Sequence, residues 1–209
     1  MDIHLDIFTL GPLGTNCYLI RCGASAAVVD PGMGPDELLT FIERHHAEPQ
    51  TVLLTHGHGD HIAGIAPLKK RYPSLRVICP AADAPMLVDA AKNLSSMFGL
   101  PLAIGPADEL IQPGQNIQIG QSEWQVLDTS GHTPGGVSYY CQALDVAITG
   151  DALFAGSIGR TDVPDGDQDR LIANIRAQLL SLPDHTQVLP GHGPSTTIGQ
   201  ERIENPYLA

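Results

Sequence analysis

Three imidazoles and a carboxylate crowd into seven residues, Thr55-His56-Gly57-His58-Gly59-Asp60-His61, directly after the apolar run Thr51-Val52-Leu53-Leu54. An apolar run that short reads as a buried strand, and the spacing over residues 62–72 predicts a helix after it. The polar residues therefore fall where a strand hands over to a helix. A neutral imidazole offers a lone pair to a metal, and an Asp carboxylate offers a harder oxygen donor. His56 and His58, two apart on an extended turn, can converge on one ion. Asp60 and His61 are carried round the corner and can face a second.

Three further loops repeat this placement. Thr129-Ser130-Gly131-His132 follows Val126-Leu127, Thr149-Gly150-Asp151 follows Val146-Ala147-Ile148, and Pro190-Gly191-His192-Gly193 follows Val188-Leu189. Glycine beside each donor lets the backbone approach closely without a Cβ clash. Strands laid side by side deliver their terminal loops to one edge, so the four loops can meet there. His56, His58, His61, His132, His192, Asp60 and Asp151 then supply about the number of donors that two four- or five-coordinate ions need, with a bridging water and one shared carboxylate. His4, His45, His46 and His185 lack this context and are not counted as donors, and His45 and His46, at a helix end, read as surface residues.

The remaining patterns frame these loops. Residues 3–8 alternate as a half-buried strand, 16–22 and 26–29 read as two more, and Asp30-Pro31-Gly32 ends that meander. Pro35 and Asp36 open a helix whose apolar face is Leu38, Leu39, Phe41 and Ile42. A strand over 76–79, a helix over 81–98 and a Pro/Gly-rich connection over 99–114 follow. Strands over 117–119, 124–127, 136–141 and 146–149 lead to a loop over 156–167. Beyond it lie a helix striped by Leu171, Ile172, Ile175, Leu179 and Leu180, a strand over 186–189, and a short helix carrying Ile198, Arg202 and Ile203. Strands then helices, twice over, predict an α/β fold of two stacked sheets with helices outside, a four-layer αββα sandwich in one domain spanning 1–209.

Charge and cysteine usage limit the partners. A formal charge of −12 with only 11 basic residues argues against nucleic acid. The run Lys69-Lys70-Arg71 suits a helix C-terminus, where cations meet the negative end of the dipole. Cys17, Cys22, Cys79 and Cys141 are scattered and imply no disulfide framework. The first seven residues carry acids where a secretory signal would carry Lys or Arg, and no apolar stretch approaches a membrane span. The expectation is a cytoplasmic protein, monomeric or weakly self-associating, that does not bind membranes.

The chain resembles the metallo-β-lactamase fold superfamily over essentially its whole length, because residues 55–61 match the T-H-x-H-x-D-H motif of that family. Within it the chain is similar to the small, type II glyoxalase II branch of hydroxyacylglutathione hydrolases. That narrower likeness rests on Ser96-Met97-Phe98-Gly99-Leu100, on Gly159-Arg160-Thr161-Asp162, and on the tail from Pro190-Gly191-His192-Gly193-Pro194 to Glu201-Arg202-Ile203-Glu204-Asn205-Pro206. The resemblance implies that His56, His58 and His132 hold one metal, that Asp60, His61 and His192 hold the other, and that Asp151 bridges them. Asp rather than Cys at 151 argues against a true β-lactamase site, and His rather than an acid at 58 argues against a di-iron oxygen reductase. The larger glyoxalase II enzymes carry a helical C-terminal domain that contacts glutathione, and the chain ends too early for one. Arg160 falls where those enzymes place a Lys toward the glutathione glycine carboxylate, while Asp162 replaces a substrate-facing Tyr. A surface salt bridge from Arg160 to Asp162 or Asp165 is an equal alternative for the arginine.

The activity this implies is hydrolysis of a glutathione thioester, S-lactoylglutathione to lactate and glutathione. Two divalent ions, zinc first with iron or manganese as alternatives, would bring a bound water to hydroxide near pH 7, and Asp60 and Asp151 would be the catalytic carboxylates. A persulfide dioxygenase with a single iron would need only His56, His132 and Asp151. Such enzymes resemble P-A-H-D-Y around the last histidine, unlike Pro190-Gly191-His192-Gly193-Pro194 here. Other hydrolases of the superfamily, such as lactonases, share the metal ligands. An inert metal-binding scaffold is the reading outside enzymology.

Overall fold

The computed structural model describes residues 3–208. The first sheet runs β1 (Ile3–Leu10), β2 (Thr15–Cys22), β3 (Ser25–Val29), β4 (Thr51–Leu53), β5 (Arg76–Pro80) and β6 (Glu109–Ile111), in that spatial order. β1 to β3 form an antiparallel meander, and β3 to β6 pair in parallel. The second sheet is built from β7 (Asn116–Ile119), β8 (Ser122–Asp128), β9 (Val137–Cys141), β10 (Val146–Gly150), β13 (Gln187–Pro190) and β14 (Thr196–Thr197). The numbers skip because β11 (Leu153–Phe154) and β12 (Ser157–Ile158) form a separate small hairpin.

Burial explains why the strands read as apolar runs. Along β2, Cys17 and Leu19 face the helices, while Tyr18 and Ile20 face the opposing sheet. Both faces are buried, so the alternation disappears from the sequence although the pleat persists. Tyr18, Ile20, Val29, Leu53 and Ile78 of the first sheet pack on Trp124, Val126, Tyr139 and Ile148 of the second. Outside the first sheet lie α1 (Asp36–His45) and α3 (Ile65–Arg71), which bury Leu38, Ile42, Ile65 and Leu68. Outside the second lie α4 (Gln168–Asn174) and α5 (Ile198–Glu204), which bury Leu171 and Ile198. The order is helix, sheet, sheet, helix, the expected αββα sandwich. The basic triplet at 69–71 ends α3, and His45 closes α1 in its last turn.

Five local expectations differ. The helix over 62–72 is split into α2 (Gly59–Ile62) and α3, because Gly64 presses its backbone onto the Pro31-Gly32 turn and donates its N–H to the Pro31 carbonyl at 2.8 Å. The helix over 81–98 is two 3-10 stretches, Ala81–Val88 and Ser95–Phe98. Pro85 removes one N–H, Leu94 takes a positive φ of 65°, and the Asn93 amide bonds the Met86 and Leu102 carbonyls instead. The connection over 99–114 contains β6, a three-residue strand identified only by its pairing with β5. The loop over 156–167 includes β12. The 171–180 stripe continues past α4 as a π-helical turn, Ile175–Leu179, with Leu171, Ile175 and Leu179 still on the core side.

Trp124, the sole tryptophan, is fully buried between the sheets with its indole N–H on Ser122 Oγ at 3.1 Å. Trp124→Ala should cost about 3–5 kcal/mol by transfer and cavity terms. Guanidinium unfolding followed by far-UV circular dichroism reads this, since the intrinsic indole signal is lost.

Candidate metal centre

The ends of β4, β8, β10 and β13 reach one edge of the sandwich, and all seven expected donors meet there. One atom each from His56, His58 and His132 lies within 4.8 Å of the others, and the same holds for Asp60, His61 and His192. Asp151 stands between the two groups. Its Oδ1 is 3.4 Å from His61 Nε2, and its Oδ2 is 3.6 Å from both His132 Nε2 and His192 Nε2. Each trio draws on both sheets: residues 55–61 come from the first, and His132, Asp151 and His192 from the second.

Hydrogen-bond acceptors decide which ring nitrogen of each imidazole faces the centre. His61 Nδ1 lies 3.0 Å from Asp30 Oδ2, His132 Nδ1 2.6 Å from the Arg160 carbonyl, and His192 Nδ1 3.1 Å from the Leu13 carbonyl. His56 Nδ1 lies 3.0 Å from Thr55 Oγ1, whose own proton goes to Asp30 Oδ2 at 2.6 Å, so that oxygen accepts from the ring. In all four the Nδ1–H is held and Nε2 is the ring nitrogen that faces inward. His58 is the exception, presenting Nδ1 at 3.0 Å from His132 Nε2.

Two buried carboxylates organise this arrangement, and neither is among the seven donors. Asp30, at a positive φ of 50°, accepts from Thr55 N, Thr55 Oγ1 and His61 Nδ1. It lies close enough to His56 and His61 to count as a third possible trio. With its oxygens already engaged, it orients ligands rather than serving as one. Its sequence signal was present: an acid directly after the apolar run 26–29, the placement that singled out Asp151, yet it reads as a turn. Asp83 accepts from Gly57 N at 3.1 Å, Thr133 Oγ1 at 2.7 Å and Gly135 N at 2.6 Å, tying the His56–His58 loop to the His132 loop. Nothing in its sequence surroundings marks it.

Arg160 lies at the rim, not among the donors. Its guanidinium makes a two-pronged pair with Asp162, at 2.7 and 2.9 Å, and both side chains are exposed. The surface salt bridge is therefore formed, and the close contribution of Arg160 to the centre is its backbone carbonyl on His132.

Burial holds His56 well below the usual imidazole range, with its neighbouring imidazoles adding to the effect, and lowers His58 to about 3 through burial and then His132. Both are neutral lone-pair donors at physiological pH. Burial opposes the cation at His61 and His192, but nearby carboxylates outweigh it and raise both. Burial opposes the anion at Asp60 and Asp151, but His61 foremost outweighs it and lowers both. Protons shared across this half stand where a cation's charge would. His56 Nε2 and Asp151 Oδ1 are buried without a hydrogen-bond partner among the described residues. Orphaned lone pairs of this kind, inside imidazole and carboxylate trios with open positions, fit divalent cations.

Asp30→Asn preserves shape but turns an N–H toward His61 Nδ1. The ring then accepts there and moves its proton to Nε2, away from a ligand's form. Metal affinity at the Asp60–His61–His192 trio should fall about 10- to 100-fold, as for other outer-shell partners. Metal content per chain after dialysis against a weak chelator measures the loss.

Known proteins share this architecture. The profile described as "Metallo-beta-lactamase superfamily" matches residues 10–192. A probable metallo-hydrolase, YqgX of Bacillus subtilis, is 38% identical over 95% of this chain and 94% of its own. The hydroxyacylglutathione hydrolase GloC of Haemophilus influenzae is 35% identical over 99% and 98%. Among solved structures, the BLEG-1 B3 metallo-beta-lactamase superposes with a TM-score of 0.94 at 40% identity, covering 99% of this chain and 100% of that one. TTHA1623 in a di-iron-bound form superposes at 0.87 with 38% identity, over 97% and 100%. The chain belongs to the metallo-beta-lactamase superfamily.

Proposed function

We propose that the protein hydrolyses thioesters, with S-lactoylglutathione as substrate and lactate and glutathione as products. The observation that carries this reading is the pair of complete donor trios sharing Asp151, in a chain similar to GloC along nearly its full length. His56, His58 and His132 would hold one divalent cation, Asp60, His61 and His192 a second, with Asp151 between them. When bound, such ions supply Lewis acidity for the carbonyl and lower the pKa of water toward about 7. Assembly of the second trio favours this over the single-iron alternative, which needs only His56, His132 and Asp151.

The chain's own groups set up the rest. Asp60 and Asp151, held as anions, can accept hydrogen bonds from an attacking water and orient its lone pair. The hydroxyl of water ends on the acyl carbon while its other proton passes to solvent, the C–S bond breaks, and the departing thiolate takes a proton from solvent. No serine or cysteine nucleophile is needed, and all four cysteines are buried. A substrate carboxylate reaching Arg160 must displace Asp162, so recognition there is a competition between two carboxylates. Among the described residues, no helix is long and apolar enough to cross a membrane.

A second reading is opening of a β-lactam, favoured by the likeness to the BLEG-1 structure. It uses the same acyl transfer to water, and Asp at 151 remains the argument against it.

His58→Ala should lose bound metal and hydrolysis of S-lactoylglutathione together. Full thioesterase activity in the metal-free variant would end the proposal, and turnover of nitrocefin in place of the thioester would favour the second reading. Asp162→Asn frees the Arg160 fork and should lower KM for S-lactoylglutathione about two- to five-fold at constant kcat, the worth of one exposed ion pair. Arg160→Ala should raise it by a similar factor, read in steady-state kinetics.

A further inference from the structure

We infer that Asn16 is the positioning residue for the second half of the metal centre, and that with Tyr18 it determines whether the site holds two ions or one. The inference rests on the two-cation reading above. His192 lies beyond the end of β13 in the second sheet, while Asp60 and His61 belong to the first. Their trio forms only if the 190–193 loop is fastened across the sandwich.

The fastening is a set of hydrogen bonds from the start of β2. The Asn16 side-chain amide donates one proton to the Pro190 carbonyl at 3.0 Å and one to the Gly193 carbonyl at 2.8 Å, bracketing His192 from both sides. Its backbone N–H donates to the Gly191 carbonyl at 2.7 Å, and the Tyr18 hydroxyl reaches the Pro190 carbonyl at 2.6 Å. Thr9 Oγ1 donates to Asn16 Oδ1 at 3.2 Å, which fixes the amide with its N–H groups toward the loop. Next to Asn16, Thr15 forms a β-bridge with His192 and donates its hydroxyl to Asp60 Oδ2 at 3.2 Å. One short segment therefore positions two of the three donors in this trio.

The other trio does not use this fastening. Its cross-sheet ties are Asp83, on Gly57, Thr133 and Gly135, and the bonds from Val137 and Tyr139 to the Thr55 and Leu54 carbonyls. Asp30 orients a histidine in each half, but across the sheets the halves are fastened by different residues, so loss of one fastening should spare the other half. The chemistry at position 16 is also specific. Only a side chain with two N–H donors and one acceptor, at this length, serves both carbonyls and Thr9. Aspartate has the same shape but sets oxygen against oxygen.

The test is zinc titration against a chromophoric chelator, resolving both binding constants, with zinc per chain by elemental analysis. The proteins are wild type, Asn16→Asp, Tyr18→Phe, His192→Ala and the double variant Asn16→Asp/His192→Ala. The wild type should bind two zinc ions. Asn16→Asp should weaken one constant about 10- to 100-fold and leave the other within about two-fold, the range for outer-shell partners. Tyr18→Phe, which removes one hydroxyl and keeps the ring packed, should weaken the same constant less, and serves if Asn16→Asp does not fold. In the His192→Ala background Asn16→Asp should change the surviving constant no further. Unchanged constants in both Asn16→Asp and Tyr18→Phe, or equal loss of both constants, would overturn the positioning role. A wild type that binds a single zinc would overturn the two-cation reading itself.

Discussion

The centre depends on hydrogen bonds that cross from one sheet to the other at a single edge of the sandwich. Elsewhere the sheets meet through apolar side chains, which hold them together but do not fix them at the resolution a donor set needs. At this edge the Tyr139 hydroxyl reaches the Leu54 carbonyl, and the Val137 N–H reaches the Thr55 carbonyl. Asp83 and Asn16 add their own ties. These groups are buried, so each must be satisfied by its partner, and few alternative arrangements can satisfy them all. Glycine makes the approach possible: a side chain at Gly191 would overlap Asp151 and His61, and one at Gly150 would overlap Thr55.

Charge is distributed to the same end. A protein at −12 gathers two buried acids, Asp30 and Asp83, and two half-buried ones, Asp60 and Asp151, around one point, which is costly unless cations or N–H donors meet them. Asp83 is met by N–H and O–H donors and Asp30 by a backbone N–H, a hydroxyl and an imidazole. Asp60 and Asp151 are met by imidazoles that carry protons more readily than usual. The partition is chemical: the first trio is nitrogen-only, while the second couples carboxylates to imidazoles. A divalent cation in the second trio would relieve the concentration of anions there, and one in the first would satisfy the orphaned lone pair of His56.

Much of this was legible in the residues. Each donor loop follows an apolar run, and a strand end is where a sheet delivers functional groups, so all seven donors could be named from position. Asp30 obeys the same rule and was read as a turn, because Asp30-Pro31-Gly32 also has turn chemistry and no local pattern separates the two roles. Asp83 lies in a 3-10 stretch that sequence periodicity reads as helix. Its importance comes from Thr133 and Gly135, some fifty residues away. Asn16 reads as the first residue of a strand, and the loop carbonyls it holds lie more than 170 residues distant.

By itself the sequence determined the donor chemistry, the strand–loop grammar that brings the donors together, and the layered α/β class. Those properties are local, carried by residue type and by periods of two and about three and a half. Only the tertiary structure decided which ring nitrogen faces the centre, which acids orient rather than ligate, and that the Arg160 fork is taken by Asp162. Each of these depends on a partner brought near by folding. An imidazole's tautomer is set by the acceptor on its far side, and the chain order does not say which acceptor that will be.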